Sequence, residues 1–143
     1  MKLYASIYIG SYEIILKVFQ ITQKKRLKEL DCLRTPIDTA QDIYASGQLK
    51  KETVDRICNV LEDMKRTLAL YRLTEDYQIY AGSTFTAADN RLFAMEQIKL
   101  RTGMKVLALS NSEHRFMSYR AVASQDNFDA MVSESAAIVD IGG

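Results

Sequence analysis

The chain has 143 residues, of which 48% are hydrophobic and 26% are charged, and its 19 basic side chains nearly balance its 18 acidic ones. This length suits one domain with one core, and the composition is that of a globular protein, neither disordered nor membrane-spanning. Near-neutral charge argues against a dedicated nucleic-acid or membrane partner. Because Met1 leads into a strand-like pattern without a secretory leader, and Cys32 and Cys58 lack metal-ligand spacing, we expect a cytoplasmic protein with free thiols.

The first part of the chain is rich in strand-forming residues. Residues 3–21 are almost continuously β-prone with a break at Gly10-Ser11, which predicts two strands joined by a tight turn. Apolar and polar residues alternate loosely over residues 27–33, which predicts a third strand. The start of the chain is therefore expected to form an antiparallel meander. The basic residues 24–26 between the strands are typical of a solvated hairpin turn, and a nucleic-acid patch is the alternative.

The middle of the chain alternates helix and strand patterns. Residues 34–49 hold the single proline and predict a long surface connection. Apolar residues recur at steps of three and four over residues 52–72, which predicts an amphipathic helix lying on a sheet, with a coiled-coil seam as the alternative. Residues 77–81 predict a short strand and residues 82–84 a turn rich in hydroxyls. Residues 90–101 predict a second helix that a glycine stops.

The next segment predicts a further strand and helix. Residues 104–109 are strand-like, and Ser110 followed by Glu113 predicts a capping box at the start of a helix that runs to about residue 123. Residues 128–135 are ambiguous. The apolar face of the helix, expected to be buried, comprises Phe116, Met117, Tyr119 and Val122.

The last stretch, residues 136–143, is an apolar run that ends in an acidic residue and two glycines. It predicts a buried strand leading to a turn without side chains. There the amides of Gly142 and Gly143 would face a phosphate, and Asp140 would hold a divalent cation. The strand that ends at Gly10-Ser11 repeats this pattern in weaker form. We therefore expect a phosphate held between two loops, and we expect the chain to be the front part of a longer protein.

A meander followed by alternating helices and strands predicts an α/β fold, a mixed sheet with helices on both faces. Together with its motifs, the chain resembles the N-terminal domain of the exopolyphosphatase and guanosine pentaphosphate phosphohydrolase (Ppx/GppA) family. The resemblance covers essentially the whole chain. It rests on the order and spacing of Ile9-Gly10-Ser11, Gly47-Gln48-Leu49, residues 81–90, Thr102-Gly103, Ser110, Glu113, Tyr119 and residues 139–143.

The resemblance implies a ribonuclease H-like (actin-like ATPase) domain with a mixed five-stranded sheet. Residues 1–143 would form a single N-terminal domain, without the second lobe that completes the cleft. It further implies removal of a terminal phosphate from polyphosphate or guanosine pentaphosphate with Mg²⁺, by a protein that pairs this domain with a C-terminal lobe and can form a homodimer. We expect this fragment alone to be inactive. The implied site residues are Gly10, Ser11, Ser83, Gly142 and Gly143 for phosphate, Asp140 for metal, and Glu113 and His114 for catalysis.

Five positions differ from the family pattern. Similar proteins carry Asp and Asn where Tyr8 and Tyr12 stand here, and Thr and Arg where Gly82 and Thr86 stand. The second glutamate of an acidic pair, which the family uses as catalytic base, is His114 in this chain. Imidazole can accept a proton near neutrality, so His114 is either a substitute base or a plain surface residue. The two tyrosines either fill the emptied pocket or stack on a ligand.

Several interpretations therefore stay open. Gly10-Ser11 can be a plain hairpin turn, and Glu113 can be only a helix cap. The substitutions favour an alternative function, a non-catalytic family member that binds phosphate chains, nucleotide or a protein partner as a regulator. A third hypothesis is a scaffold like the actin-like cell-division or pilus-assembly proteins, whose first strand also ends in Ile-Gly-Ser.

Overall fold

The computed structural model describes residues 2–24, 26–124, 128–133, 137 and 139. Its strands are β1 (Lys2–Ile9), β2 (Glu13–Ile21), β3 (Leu27–Pro36), β4 (Tyr77–Ala81) and β5 (Val106–Ala108). Its helices are α1 (Thr39–Ser46), α2 (Lys51–Leu70), α3 (Ser83–Thr86), α4 (Arg91–Thr102), α5 (Asn111–Ala123) and α6 (Phe128–Ser133). The predicted final strand lies, apart from residues 137 and 139, outside the described residues.

The five strands form one mixed sheet in the order β3-β2-β1-β4-β5. The first three strands pair antiparallel, as the predicted meander requires, whereas β4 pairs parallel to β1 and β5 pairs parallel to β4. The predicted mixed five-stranded sheet is therefore confirmed. Because β1, β4 and β5 run in the same direction, the segments that follow them meet at one edge of the sheet, which we call the carboxyl edge.

The core lies between one face of the sheet and the helices. Alternate residues of β1 and β2, among them Ile7 and Leu16, are fully buried on this face. The apolar stripe of α2, including Ile57 and Leu61, joins the same core cluster. Burying one such side chain contributes about 1.5–3 kcal/mol. The predicted amphipathic helix thus lies on the sheet and does not form a coiled-coil seam.

The opposite face of the sheet carries the side chain of Tyr8. Tyr8 alternates with the buried Ile7 and Ile9, so its side chain projects from the other face. Its hydroxyl contacts His114 near the start of α5, so this helix begins on that side of the sheet. Within the described part of the chain, no helix combines the length and the apolar character needed to cross a membrane.

The prediction of a surface connection at residues 34–49 is wrong, because this segment contains the end of β3 and all of α1. The Asp38 carboxylate accepts a hydrogen bond from the Gln41 amide and starts the helix, and Gly47, with φ of 72°, ends it. Thr39 and Ala40 are buried. A proline at the last position of an edge strand leaves the sheet intact. Pro36 therefore does not mark the end of regular structure, although the sequence pattern suggested that it does.

The predicted buried face of α5 is also wrong. Phe116, Met117 and Tyr119 are 60%, 43% and 50% exposed, and the structure buries no residue of this helix. The physical reason is that no residue of α5 joins the core cluster of the described residues, so its apolar side chains lack partners that would bury them. Smaller differences are that residues 83 and 84 of the predicted turn belong to α3 and that the ambiguous segment after residue 127 contains α6.

A buried carboxylate joins α1 to the start of α2. Asp42 is 3% exposed, and its Oδ2 atom accepts hydrogen bonds from the Lys50 amide at 2.9 Å and the Thr53 hydroxyl at 2.5 Å. Lys50 caps α2 without a side-chain hydrogen bond of its own. Asp42 therefore supplies an acceptor to the first turn of α2, where amides lack partners within the helix.

We expect Asp42→Ala to lower the free energy of unfolding by about 1–3 kcal/mol, because it leaves a partly buried amide and hydroxyl without their acceptor. The control is Asp63→Ala, which removes an exposed carboxylate 3.1 Å from Arg66 on α2 and should cost less than about 1 kcal/mol. Denaturant titration measures both. Equal losses would contradict the role of Asp42.

Candidate functional site

The carboxyl edge brings together three segments that are distant in sequence. They are residues 10–12 after β1, residues 82–86 after β4 and residues 109–114 after β5. In the strand order, β2 lies on one side of β1 and β4 lies on the other. The loops after β1 and β4 therefore diverge, and the part of the carboxyl edge between them is a topological switch point. Open α/β sheets bind ligands in the crevice at this kind of position.

The first two segments are joined directly. The hydroxyls of Ser11 and Thr84 are hydrogen-bonded at 2.6 Å. The Ser11 carbonyl accepts the amide of Thr39 at 3.0 Å, and the Thr39 hydroxyl donates to the Gly10 carbonyl at 3.1 Å. The start of α1, which the sequence did not predict, therefore holds the loop after β1 in place.

The backbone amides of the two glycines at this edge have partners within the protein. Gly10 donates to the Glu13 carbonyl at 2.9 Å, as in a hairpin turn, and Gly82 donates to the Ile9 carbonyl at 3.0 Å. An anion at this edge would therefore meet the hydroxyls of Ser11 and Ser83 and not these two amides. Ser83 is exposed.

Tyr8 crosses the edge and contacts the third segment. Its hydroxyl lies 3.1 Å from Nε2 of His114, and the two ring centroids are 6.1 Å apart. A Cβ atom on Gly82 would lie 2.3 Å from the Tyr8 hydroxyl oxygen, and one on Gly10 would lie 3.2 Å from Cε1 of the same ring. Both glycines thus provide the space that the Tyr8 ring occupies.

Glu113 and Ser110 form the predicted capping box at the start of α5. The Glu113 carboxylate accepts the Ser110 amide at 2.7 Å, and the Ser110 hydroxyl accepts the Glu113 amide at 3.1 Å. Hydrogen bonds from the Ser110 amide and then from its hydroxyl hold the pKa of Glu113 below its ordinary value. A carboxylate with a lowered pKa that already caps a helix is a weak proton acceptor.

Thr86 has a structural role. Its hydroxyl donates to the Gly82 carbonyl at 3.0 Å and lies 3.3 Å from the Leu109 carbonyl. This contact joins the last residue of α3 to the residue that follows β5. Similar proteins carry an arginine at this position, and the Thr86 hydroxyl cannot supply its positive charge to a phosphate.

The structure brings five of the proposed site residues to one edge: Gly10, Ser11, Ser83, Glu113 and His114. The other three, Asp140, Gly142 and Gly143, lie outside the described residues, so their roles remain predictions. Within the described ranges, no three His, Cys, Asp or Glu side chains cluster as a metal site would require. The described residues of the carboxyl edge do not fit Mg²⁺, because position 8 offers a phenol and Glu113 is engaged as a cap.

Sequence reasoning missed the contact of Tyr8 with Gly10, Gly82 and His114. Tyr8 and His114 lie 106 positions apart, and no local pattern links them. One signal was available, since three of the departures from the family pattern fall on Tyr8 and on two residues that it contacts, Gly82 and His114.

The chain was compared with known protein families, curated proteins and solved structures. No protein-family model and no curated protein matches the chain. Among solved structures, an Aquifex aeolicus Ppx/GppA family member matches with a TM-score of 0.78 and 23% identity over 85% of this chain and 39% of that one. The chain has the fold of the Ppx/GppA structures. An exopolyphosphatase from Cytophaga hutchinsonii matches with a TM-score of 0.80 and 14% identity over 87% of this chain.

The resemblance to Ppx/GppA proteins is therefore confirmed in the fold. A weaker match is the ethanolamine utilization protein EutJ from Carboxydothermus hydrogenoformans, with a TM-score of 0.51 and 13% identity over 85% of this chain and 40% of that one. The chain spans 39% of the length of both the Aquifex and the Cytophaga protein.

We expect Gly82→Ala to lower the free energy of unfolding by about 1–3 kcal/mol, because its Cβ would overlap the Tyr8 hydroxyl. Tyr8→Ala in the same chain removes the clash. In a double-mutant cycle followed by denaturant titration, the pair should therefore cost less than the sum of the single changes, with a coupling of about 0.5–3 kcal/mol. Strict additivity would show that Tyr8 does not occupy this space.

The lowered pKa of Glu113 predicts a pH dependence. A carboxyl whose pKa is lower in the folded state stabilises the fold at neutral pH, and this contribution is lost as the pH falls through the folded-state pKa. Glu113→Gln keeps the hydrogen-bond acceptor and removes the charge. Wild type should therefore be more stable than Glu113→Gln at pH 7, and the difference should vanish at about pH 2. A difference that persists in acid would contradict the charged cap.

Proposed function

We propose that the chain is the phosphate-binding lobe of an exopolyphosphatase-type phosphohydrolase. Its carboxyl edge would hold the end of a polyphosphate or guanosine pentaphosphate chain. The observation that carries the proposal is the 2.6 Å hydrogen bond between Ser11 and Thr84. It joins the loops of two adjacent parallel strands at the switch point, and these loops present hydroxyls to the crevice. The fold of the Ppx/GppA structures supports the same substrate class.

Phosphate oxygens would accept hydrogen bonds from the hydroxyls of Ser11 and Ser83 in this proposal. Charge-assisted hydrogen bonds of this kind are stronger than neutral ones. Gly142 and Gly143 would add backbone amides, and Asp140 would hold Mg²⁺. These three assignments rest on the sequence pattern alone.

Hydrolysis requires a base for the attacking water. The water oxygen bonds to the terminal phosphorus, the bridging P–O bond breaks, and the shortened chain leaves with that oxygen. In our proposal His114 receives the proton of the water, because Glu113 serves as the cap of α5. Glu113 then acts by holding the helix start that carries His114. Since the chain spans 39% of the two solved relatives named above, we propose that this lobe alone releases no phosphate and that a second lobe completes the site.

A non-catalytic regulator is the second candidate. The specific observation in its favour is that Tyr8, Gly82 and His114 interlock at the positions where similar proteins carry an Asp, a Thr and a catalytic Glu. Such a protein would bind phosphate chains without turnover. A homodimer is compatible with both candidates.

Phosphate release from long-chain polyphosphate by the full-length protein in MgCl₂ separates these candidates. We expect release, and we expect His114→Ala to lower kcat by about one hundred to ten thousand fold, the usual contribution of a general base. Asp63→Ala on α2 is the control and should leave kcat unchanged. Binding without release would support the regulator, and neither binding nor release would exclude both functions.

Binding itself can be tested at Ser11. We expect Ser11→Ala to weaken tripolyphosphate binding by the full-length protein roughly tenfold or more, because a hydrogen bond to a charged group contributes about 1.5–3 kcal/mol. Ser124→Ala changes an exposed hydroxyl at the end of α5 and is the matched control. Isothermal titration calorimetry measures both. A Ser11→Ala protein that binds like wild type would contradict the assignment of the site.

A further inference from the structure

One side chain fills the inner part of the carboxyl edge. The Tyr8 ring lies between Gly10 and Gly82, so close that a Cβ on either glycine would lie within 3.2 Å of a ring carbon or the hydroxyl oxygen. Such contacts are shorter than the usual 3.5–4.0 Å between packed carbon atoms. The backbones of both glycines are therefore covered on the side from which Tyr8 approaches.

His114 keeps the ring in this position. The 3.1 Å contact between its Nε2 atom and the Tyr8 hydroxyl fixes the far end of the phenol. His114 itself is placed by the capping box and by its amide, which donates to the Ser110 carbonyl at 2.9 Å. Three separate elements, β1, the end of β4 and the start of α5, thus hold one aromatic side chain.

The space that Tyr8 occupies is not open to a ligand in this conformation. Two cavities of about 880 and 640 Å³ lie away from the Tyr8 ring, since Gly10, Gly82 and His114 line neither of them, although Tyr12 lines the smaller one. The larger is at the opposite end of the sheet, where β2 turns into β3, and its cationic lining residues are Lys2, Lys24, Arg26 and Lys28. At the carboxyl edge, an anion can reach the rim hydroxyls but not the covered glycine backbones.

We propose that Tyr8 is a specificity-determining residue that limits the depth of the phosphate site. This inference rests on the proposed phosphate binding. With the ring in place, the site takes one terminal phosphoryl group at the rim formed by Ser11 and Ser83. Without the ring, the second phosphoryl group of a chain enters the space above Gly82 and accepts a hydrogen bond from His114, whose Nε2 atom loses its Tyr8 partner. The amides of Gly10 and Gly82 stay bonded to the Glu13 and Ile9 carbonyls.

The test compares tripolyphosphate and orthophosphate binding by calorimetry in the full-length protein. We expect Tyr8→Ala to tighten tripolyphosphate binding about tenfold, as one further hydrogen bond to a charged group would do. Orthophosphate has no second phosphoryl group, so its Kd should change less than about threefold. Tyr8→Phe keeps the ring and should stay close to wild type for both ligands. Tyr44→Ala, which truncates an exposed tyrosine of α1, is the control.

Tyr8→Leu is the second variant if Tyr8→Ala does not fold, because leucine keeps apolar bulk on β1 but is too short to reach Gly82. If either variant gains more affinity for tripolyphosphate than for orthophosphate, each relative to wild type, the proposal is supported. If wild type binds tripolyphosphate and the variants bind it equally or more weakly, Tyr8 is a packing residue or a ligand contact and the proposal is wrong. If neither wild type nor the variants bind phosphate, the proposed function fails as well.

Discussion

The parallel pairing of β1 with β4 is the interaction on which the site depends. Ile9 pairs with Ala81 at the end of this ladder. Gly10 and Gly82 are the next residues after the two strands, so they lie close together although they are far apart in sequence. Because strand order places β2 on one side of β1 and β4 on the other, a crevice opens where the two loops diverge. The contacts between the loops after β1 and β4, including the Ser11–Thr84 hydrogen bond, depend on this register.

The same register couples positions that look independent in the sequence. A tyrosine at position 8 requires the absence of a Cβ at position 82, because the two groups would otherwise occupy the same volume. The hydroxyl then needs a partner, and His114 provides it. The three residues therefore act as one unit, and a change at any one of them alters the environment of the others. This coupling explains why several departures from the Ppx/GppA pattern coincide within a single contact cluster.

The sequence was sufficient where the signal is local. The periodicity of α2, the glycine that ends α4 and the capping box of Ser110 and Glu113 each depend on residues within a few turns of one another, and all three are confirmed. The prediction failed where burial depends on tertiary partners. The proline at position 36 suggested a break, so α1 was not predicted. The apolar residues of α5 predicted a buried face, but none of them joins the core cluster of the described residues. The Tyr8–His114 contact could not be predicted, because only the assembled sheet brings the two side chains together.

Chemical-shift mapping of the isotope-labelled protein during a tripolyphosphate titration tests the central claim most directly. We predict that the backbone resonances that move with a common saturation curve belong to residues 9–12, 82–86 and 110–114. Shifts confined to the basic turn between β2 and β3, or no saturable shifts at all, would contradict phosphate binding at the carboxyl edge.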